Sequence, residues 1–147
     1  METIHMETNG KRKLLGSWRL IEWQIEEANG SISHPLGEDA VGQLTYTPDG
    51  RVSAQLMRSG QASLSTKDWR NTGVNERAKA WSGYFGYFGT YSIDEAVATV
   101  NHNIEGSWFP NLVGTTEVRH YQFNGEQLVL DADTAWGKVH IVWERFH

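Results

Sequence analysis

Cysteine is absent from this chain of 147 residues, and proline occurs only three times. The absence of cysteine excludes disulfide bonds, thiolate nucleophiles and cysteine-ligated zinc, and it suits a cytoplasmic protein. No apolar run approaches the roughly 20 residues that a membrane-spanning helix needs, so a membrane is not an expected partner. The first thirteen residues also lack the apolar core of a signal peptide, and they predict a disordered polar tail over residues 1–13.

An excess of charge of one sign is lacking as well. The formal net charge is −5, with acidic and basic residues interspersed, so nucleic acid is not an expected partner. Phosphate-binding glycine loops, dinucleotide fingerprints and serine nucleophile elbows do not occur. The histidines show no metal-ligand spacing, since on a strand His102 and Glu105 face opposite sides. We expect neither metal nor cofactor; a haem held by an interior histidine is the one alternative, with no further residue supporting it.

Aromatic residues and glycine are abundant instead, with seven Trp, five Tyr, five Phe and fifteen Gly. Aromatic residues favour strands, whereas glycine marks turns and the tight corners of barrels. About eight short strand-like runs follow Gly16-Ser17-Trp18, and Thr47-Pro48-Asp49-Gly50 and Asn124-Gly125 are strong turn signals between them. The pattern predicts an all-β fold, a closed antiparallel up-and-down barrel of about 8–10 strands over residues 14–147.

The segment Ser59–Ser82 interrupts this strand pattern. Lys67–Trp69 predicts a helical turn, and Asn75–Tyr84 has the composition of a short helix. We expect one or two short helices that pack across one mouth of the barrel.

Two hairpins indicate which side chains face the interior, because residues opposite each other share a face of the sheet. Around Asn124-Gly125 the predicted pairs are Phe123–Leu128 and Tyr121–Leu130, with Arg119 and Glu117 on the same face by alternation. Around Asp94 the predicted pairs are Ile93–Ala98, Tyr91–Val100 and Gly89–His102. If both faces are interior, a mostly aromatic cavity also contains a histidine, an arginine and a glutamate.

Several motifs in order along the chain resemble the lipocalin-like domain family of bacteria and fungi. The segments that carry the resemblance are Leu14–Leu20, Pro35–Asp39, Leu44–Gln55, Gly83–Asp94, His102–Gly114 and Val142–Arg145. The resemblance covers about residues 14–145 and implies a small closed antiparallel barrel with an internal cavity. It implies a fold more firmly than a function, and it transfers no catalytic set to this chain.

His102 is the strongest candidate for chemistry, because an ordinary pKa near 6.5 suits a general acid or base. Tyr91 is predicted to assist it and Arg119 to stabilise a developing oxyanion or hold a carboxylate. The structural alternatives are a buried neutral histidine bonded to a tyrosine or a backbone carbonyl, and an ion pair of Arg119 with Glu117.

The predicted ligand-binding residues share an aromatic or polar side chain that can orient a ring-bearing molecule. They are Tyr46, Gln55, Met57, Tyr84, Tyr87, Glu117 and Tyr121. Trp18 is instead predicted to plug one end of the barrel and to stack on a late arginine, either Arg145 or Arg119.

The leading functional prediction is binding of a small, largely apolar or aromatic molecule inside the barrel, in a cytoplasmic small-molecule pathway. The alternative is a cofactor-independent isomerase, cyclase or lyase that uses His102, Tyr91 and Arg119 for proton transfer. A purely structural or protein-interaction barrel is less favoured because polar residues are predicted inside. We expect a monomer or a homodimer.

Overall fold

The computed structural model describes residues 9–147, which form nine antiparallel strands and two short helices. The strands are β1 (Gly16–Glu26), β2 (Ile32–Ser33), β3 (Val41–Tyr46), β4 (Arg51–Met57), β5 (Tyr84–Asp94), β6 (Thr99–Ser107), β7 (Thr116–Asn124), β8 (Gln127–Thr134) and β9 (Gly137–Arg145). The helices are α1 (Asn9–Leu14) and α2 (Val74–Ser82), and 3₁₀ turns lie at Trp69–Asn71 and Pro110–Leu112.

Eight of these strands close into a barrel. Each strand from β3 to β8 pairs with the next along the chain, and β1 pairs with both β3 and β9. The remaining strand, β2, pairs with the end of β1 and lies outside the barrel. The predicted all-β closed antiparallel barrel is therefore confirmed.

The strands close around a core because they alternate apolar and polar side chains. In β4, Val52, Ala54 and Leu56 are buried, while the residues between them are more exposed. A period of two puts all the apolar residues of such a strand on one face, and closing the sheet turns that face inward.

One end of the barrel is closed by Trp18 and Arg145. Trp18 is 1% exposed, and its indole N–H donates to the carbonyl of Leu14 at 2.9 Å. The Arg145 guanidinium lies 4.1 Å from the Trp18 ring and donates to the carbonyls of Leu15 and Lys13. The predicted stack on a late arginine is confirmed for Arg145.

Helix α1 corrects the predicted N-terminal tail. Asn9–Leu14 is helical, and Leu14 is buried against the closed end, so the expectation of a disordered tail through residue 13 is wrong from Asn9 onward. This short basic helix is held by buried Leu14, by the Gly10 N–H, which donates to the Glu95 carboxylate, and by Arg145, which donates to the Lys13 carbonyl. The rest of that prediction, residues 1–8, lies outside the described residues.

The two predicted hairpin registers fare differently. Phe123 pairs with Leu128 and Tyr121 with Leu130, as predicted. Tyr91, in contrast, pairs with His102 rather than with Val100. The other pairs across β5 and β6 shift by the same two residues, as in Ile93–Val100 and Gly89–Ile104.

The shift between β5 and β6 has a local cause. The connection runs from Glu95 to Ala98, longer than the predicted tight turn, and Ala98 takes a left-handed conformation with φ of 52°. Because the shift is an even number of residues, His102 keeps its predicted inward face.

Candidate functional site

A pocket of about 280 Å³ opens at the end of the barrel covered by α2. Its walls are mostly aromatic and aliphatic, and it is called the mouth pocket below. The lining residues are Trp23, Ile25, Pro35, Leu36, Trp81, Ser82, Tyr84, Phe85, Trp108, Phe109, Leu112 and Trp136. This volume and apolar lining suit a small ring-bearing molecule.

Helix α2 is attached to the barrel by two tryptophans. The indole N–H of Trp81 donates to the carbonyl of Trp108, and the indole N–H of Trp108 donates to the carbonyl of Trp81, each at 3.3 Å. Their ring centroids lie 5.5 Å apart. This reciprocal pair fixes two aromatic walls of the mouth pocket and explains why the predicted helix lies over the barrel mouth.

Phe85 lies between the mouth pocket and the barrel interior. Its ring centroid is 5.1 Å from that of Trp23, 4.5 Å from that of Trp108 and 5.9 Å from that of Tyr87. Behind it is a second space of about 20 Å³, the inner cavity, with room for about one water molecule. Trp23, Phe85 and Trp136 line both spaces, so these rings form the partition between them.

His102 lies in the wall of the inner cavity and is held by two tyrosines. The Tyr46 hydroxyl is 2.6 Å from Nε2, and the Tyr87 hydroxyl is 2.5 Å from Nδ1. Burial, reinforced by the nearby charge of Arg119, lowers the pKa of His102 to about 3. The imidazole is therefore neutral at physiological pH, with both nitrogens engaged, as the structural alternative anticipated.

Arg119 projects from β7 into the same interior and is 4% exposed. Its Nη1 lies 3.8 Å from a carboxylate oxygen of Glu117, a long separation for an ion pair. The guanidinium also lies beside the Tyr87 hydroxyl, where it lowers the pKa of that phenol against the larger opposing effect of burial. The predicted Arg119–Glu117 pair thus exists, but it is loose.

The two tyrosines that flank His102 are neutral hydrogen-bonding groups. Burial raises the pKa of Tyr46 well above its ordinary value and raises that of Tyr87 as well. A phenol and an imidazole that both resist ionisation are suited to hold a polar group in place, and they are poorly suited to exchange protons with it.

The structure brings together five of the predicted site residues: His102, Arg119, Tyr46, Tyr87 and Glu117. Tyr91 also faces inward, with its ring 4.8 Å from that of Tyr46. Its hydroxyl donates to the carbonyl of Thr47 at 2.7 Å, away from the His102 ring that it was predicted to assist.

Three predicted ligand-binding residues on the neighbouring strands β4 and β5 do not face the barrel interior. Gln55 and Met57 lie on the outer face of β4, so their prediction as cavity residues is wrong. Val52 faces inward, because it pairs with the inward-facing Tyr46. Side chains alternate along a strand, so Gln55 and Met57, three and five residues after Val52, face outward. Tyr84 borders the mouth pocket, and its hydroxyl donates to Gln55.

Tyr121 faces inward but lies at the wrong end for ligand binding. Its ring packs against Phe123, and its hydroxyl lies against Gly10 of α1 at the closed end. Burial, with the nearby carboxylates of Glu95 and Asp94, raises the pKa of this phenol. The prediction that Tyr121 lines the ligand cavity is wrong because inward-facing residues of one strand are spread over the full height of the barrel.

Sequence reasoning did not identify the aromatic residues that build the mouth pocket and its partition. Trp23, Phe85, Trp108 and Trp136 come from four separate segments, and only closure of the barrel brings them together. Their one signal in the sequence was the excess of tryptophan.

Within residues 9–147 no group of three or more histidine, aspartate or glutamate side chains is arranged to hold a metal ion. None of the helices in the described part of the chain is long and apolar enough to cross a membrane.

Comparison with known proteins agrees with this architecture. A carrier protein of 4'-hydroxy-3'-methoxypropiophenone from Aspergillus oryzae is 31% identical over 85 residues, which cover 54% of this chain and 77% of that protein. Among solved structures, a redesigned β-barrel aligns with a TM-score of 0.50 at 13% identity, over 94% of this chain and 96% of that one, which is a likeness of fold alone. A family model described as a lipocalin-like domain matches residues 15–145. The chain belongs to the lipocalin-like domain family.

Proposed function

We propose that this protein binds and carries a small, largely apolar or aromatic molecule, whose ring lies in the mouth pocket. The observation that supports this most directly is the pocket itself: about 280 Å³, open at one end and walled by Trp81, Trp108 and Phe109. Exposed aromatic walls of this kind release bound water at little cost and stack on a flat ligand.

The similarity to a carrier protein of an aromatic ketone supports the same role. A carrier needs a pocket that holds its cargo without altering it, and the neutral, fully bonded His102 fits that requirement. We further propose that the protein works in a cytoplasmic small-molecule pathway; the absence of cysteine suits that compartment.

The alternative of an isomerase, cyclase or lyase requires His102 to accept a proton near neutral pH. A pKa of about 3 makes this imidazole a weak base, and hydroxyl groups occupy both of its nitrogens. These observations favour the carrier over the enzyme.

The test uses 4'-hydroxy-3'-methoxypropiophenone and ethylbenzene as probes, with binding followed by tryptophan fluorescence and calorimetry. We expect one molecule bound per chain, and an affinity about tenfold weaker in Trp108→Ala, because this change removes a wall of the pocket. Trp69→Ala is the matched control, since Trp69 is 82% exposed and lies outside the pocket.

Mass spectrometry then distinguishes a carrier from an enzyme. A carrier releases the ketone unchanged on denaturation, in an amount equal to the protein. A new compound accumulating beyond the molar amount of protein would establish the enzyme instead, and binding of neither probe would overturn the proposal.

A further inference from the structure

We propose that the inner cavity is a subsite for an acceptor oxygen, and that the molecule bound is an aromatic compound whose polar end is a carbonyl or carboxylate. This end passes Phe85 and accepts hydrogen bonds from Arg119 and from the indole N–H groups of Trp23 and Trp143. The inference rests on the proposed function and specifies the chemical class of its ligand.

The first observation is a pair of buried donors without acceptors. Nε1 of Trp23 and Nε1 of Trp143 are shielded from solvent, and neither has a hydrogen-bond partner among residues 9–147. Both tryptophans line the inner cavity. Buried N–H groups in folded proteins are almost always bonded, so two orphans around one cavity indicate a missing acceptor.

The second observation is the surplus of donors on Arg119. A guanidinium carries five N–H groups in a rigid plane, and this one is almost fully buried in the wall of the same cavity. In the described part of the chain its partners are the Glu117 carboxylate at 3.8 Å and the Tyr87 hydroxyl. Most of its donors are left over, although a buried guanidinium is normally well paired.

The acceptors near the cavity, in contrast, are already in use. Both nitrogens of His102 are bonded to tyrosines, and the second carboxylate oxygen of Glu117 accepts from the Thr115 hydroxyl at 3.2 Å. The other Glu117 oxygen, 3.8 Å from Arg119, belongs to a residue that does not line the inner cavity, so a donor brought by a ligand finds no free partner in the cavity wall. A ligand that brings an oxygen with lone pairs satisfies donors that are otherwise unpaired.

The two spaces also fix how the ligand lies. The inner cavity, at about 20 Å³, admits an oxygen but no ring, whereas the mouth pocket accommodates a ring. Trp23, which carries one of the orphan donors, lines both spaces. A molecule with its ring among the mouth tryptophans therefore extends its polar end past Phe85 toward Arg119.

The experiment compares acetophenone, benzoate, ethylbenzene and 1-phenylethylamine, which share a phenyl ring and differ in the polar end. We expect the unmodified protein to bind acetophenone or benzoate about tenfold more tightly than ethylbenzene. The ammonium compound, which only donates, is expected to bind more weakly than ethylbenzene. The relative affinity of acetophenone and benzoate tells whether the natural ligand is a ketone or an anion.

Two variants test which residues cause the preference for a ligand with an acceptor oxygen. Trp143→Phe removes one indole N–H, and the double variant Arg119→Met with Glu117→Gln removes the guanidinium while keeping the charge balanced. Both are expected to lose most of the preference for acetophenone over ethylbenzene and to keep their affinity for ethylbenzene. Arg51→Met is the control, because Arg51 pairs with Glu105 on the outer surface.

A measurement on the unmodified protein keeps the inference testable even if a variant fails to fold. Acetophenone should move the indole ¹⁵N–¹H signals of Trp23 and Trp143 downfield, as a new acceptor does, and ethylbenzene should not. Equal affinity for acetophenone and ethylbenzene, or indole signals that do not respond, would overturn this inference and leave the proposed carrier function intact. Failure of all four compounds to bind would overturn both.

Discussion

The hydroxyl of Tyr46 lies 2.6 Å from Nε2 of His102, so the imidazole is bonded on the side opposite to Tyr87. A neutral imidazole has one donor and one acceptor nitrogen, so one flanking tyrosine must donate to it and the other must accept. The Arg119 guanidinium, which only donates, lies beside the Tyr87 oxygen. We therefore expect Tyr87 to donate to Nδ1 and the N–H on Nε2 to donate to Tyr46.

This order of donors predicts a single tautomer. We expect His102 to be the neutral Nε2–H form throughout pH 5 to 8, as read from its ¹⁵N chemical shifts. Tyr46→Phe leaves that N–H buried without an acceptor and should cost about 1–3 kcal/mol in the free energy of unfolding. Tyr84→Phe, which removes a hydroxyl bonded to Gln55 on the outer surface, is the control and should cost less. An equal cost in the two variants would contradict a buried bond at Nε2, and ¹⁵N shifts of the Nδ1–H form would refute the tautomer.

Acid should destabilise the protein through His102. The folded pKa is about 3, whereas the unfolded histidine titrates near 6.5. Between these values the unfolded chain binds a proton that the folded protein does not, so stability falls as the pH drops below about 6.5, by up to about 1.4 kcal/mol per pH unit. Between pH 7.5 and 5.5, the unmodified protein should lose about 1.4 kcal/mol more than His102→Gln in urea unfolding. The other titrating groups are common to both proteins, so equal losses would contradict the burial of this histidine.

The closed end of the barrel should depend on Arg145. Arg145→Gln removes a cation from the face of Trp18 and two hydrogen bonds to carbonyls of the segment before β1. We expect a loss of about 2–3 kcal/mol in the free energy of unfolding, from the sum of these contacts. Arg19→Gln is the control, because that arginine forms an exposed ion pair with Glu144 and should contribute less than about 1 kcal/mol.

Gly89 should tolerate no side chain. It lies where the pairing of β5 with β6 shifts register, and a Cβ there would lie 1.8 Å from the carbonyl oxygen of Asn103. Gly89→Ala must therefore separate the two strands, and we expect a loss of more than about 3 kcal/mol or failure to fold. Gly73→Ala is the matched control: φ there is −65°, the nearest atom is 4.0 Å away, and little change is expected in thermal unfolding.

Phe85 should limit the size of the ligand. Phe85→Ala removes one of the three rings of the partition and widens the passage from the mouth pocket to the inner cavity, so 2-acetonaphthone should gain affinity relative to acetophenone. The same change should cost about 3 kcal/mol of stability, since it empties a packed aromatic site. Phe88→Ala, three positions along the same strand but exposed on the outer face, should leave the ratio of the two affinities unchanged.

The features that the sequence predicted correctly are those set by neighbouring residues. The hairpin at Asn124-Gly125 needs only its own turn, so Phe123–Leu128 was predictable. The predicted pairing of Tyr91 with Val100 was wrong, because this register depends on the number of residues in the turn after Asp94. Composition does not specify that number.

In the candidate site, too, the residues placed by local alternation were predictable and those placed by barrel closure were not. His102, Arg119 and Tyr87 were predictable as interior residues from alternation within their strands. The partition of Trp23, Phe85 and Trp136 was not, because it depends on the tilt and stagger with which eight strands close. Gln55 and Met57 were avoidable errors, since the alternation of Val52, Ala54 and Leu56 already marks the inward face of β4.

The pairing of the first barrel strand with the last carries a consequence for biosynthesis. Trp18 pairs with Arg145, so residues at opposite ends of the chain become neighbours. During translation β1 has no partner on that side until Gly137–Arg145 has emerged from the ribosome, and the growing sheet keeps two open edges until then. Contacts this distant in sequence form slowly, and open edges are where nascent chains associate wrongly. The β1–β9 pairing is therefore the last contact that closes the barrel.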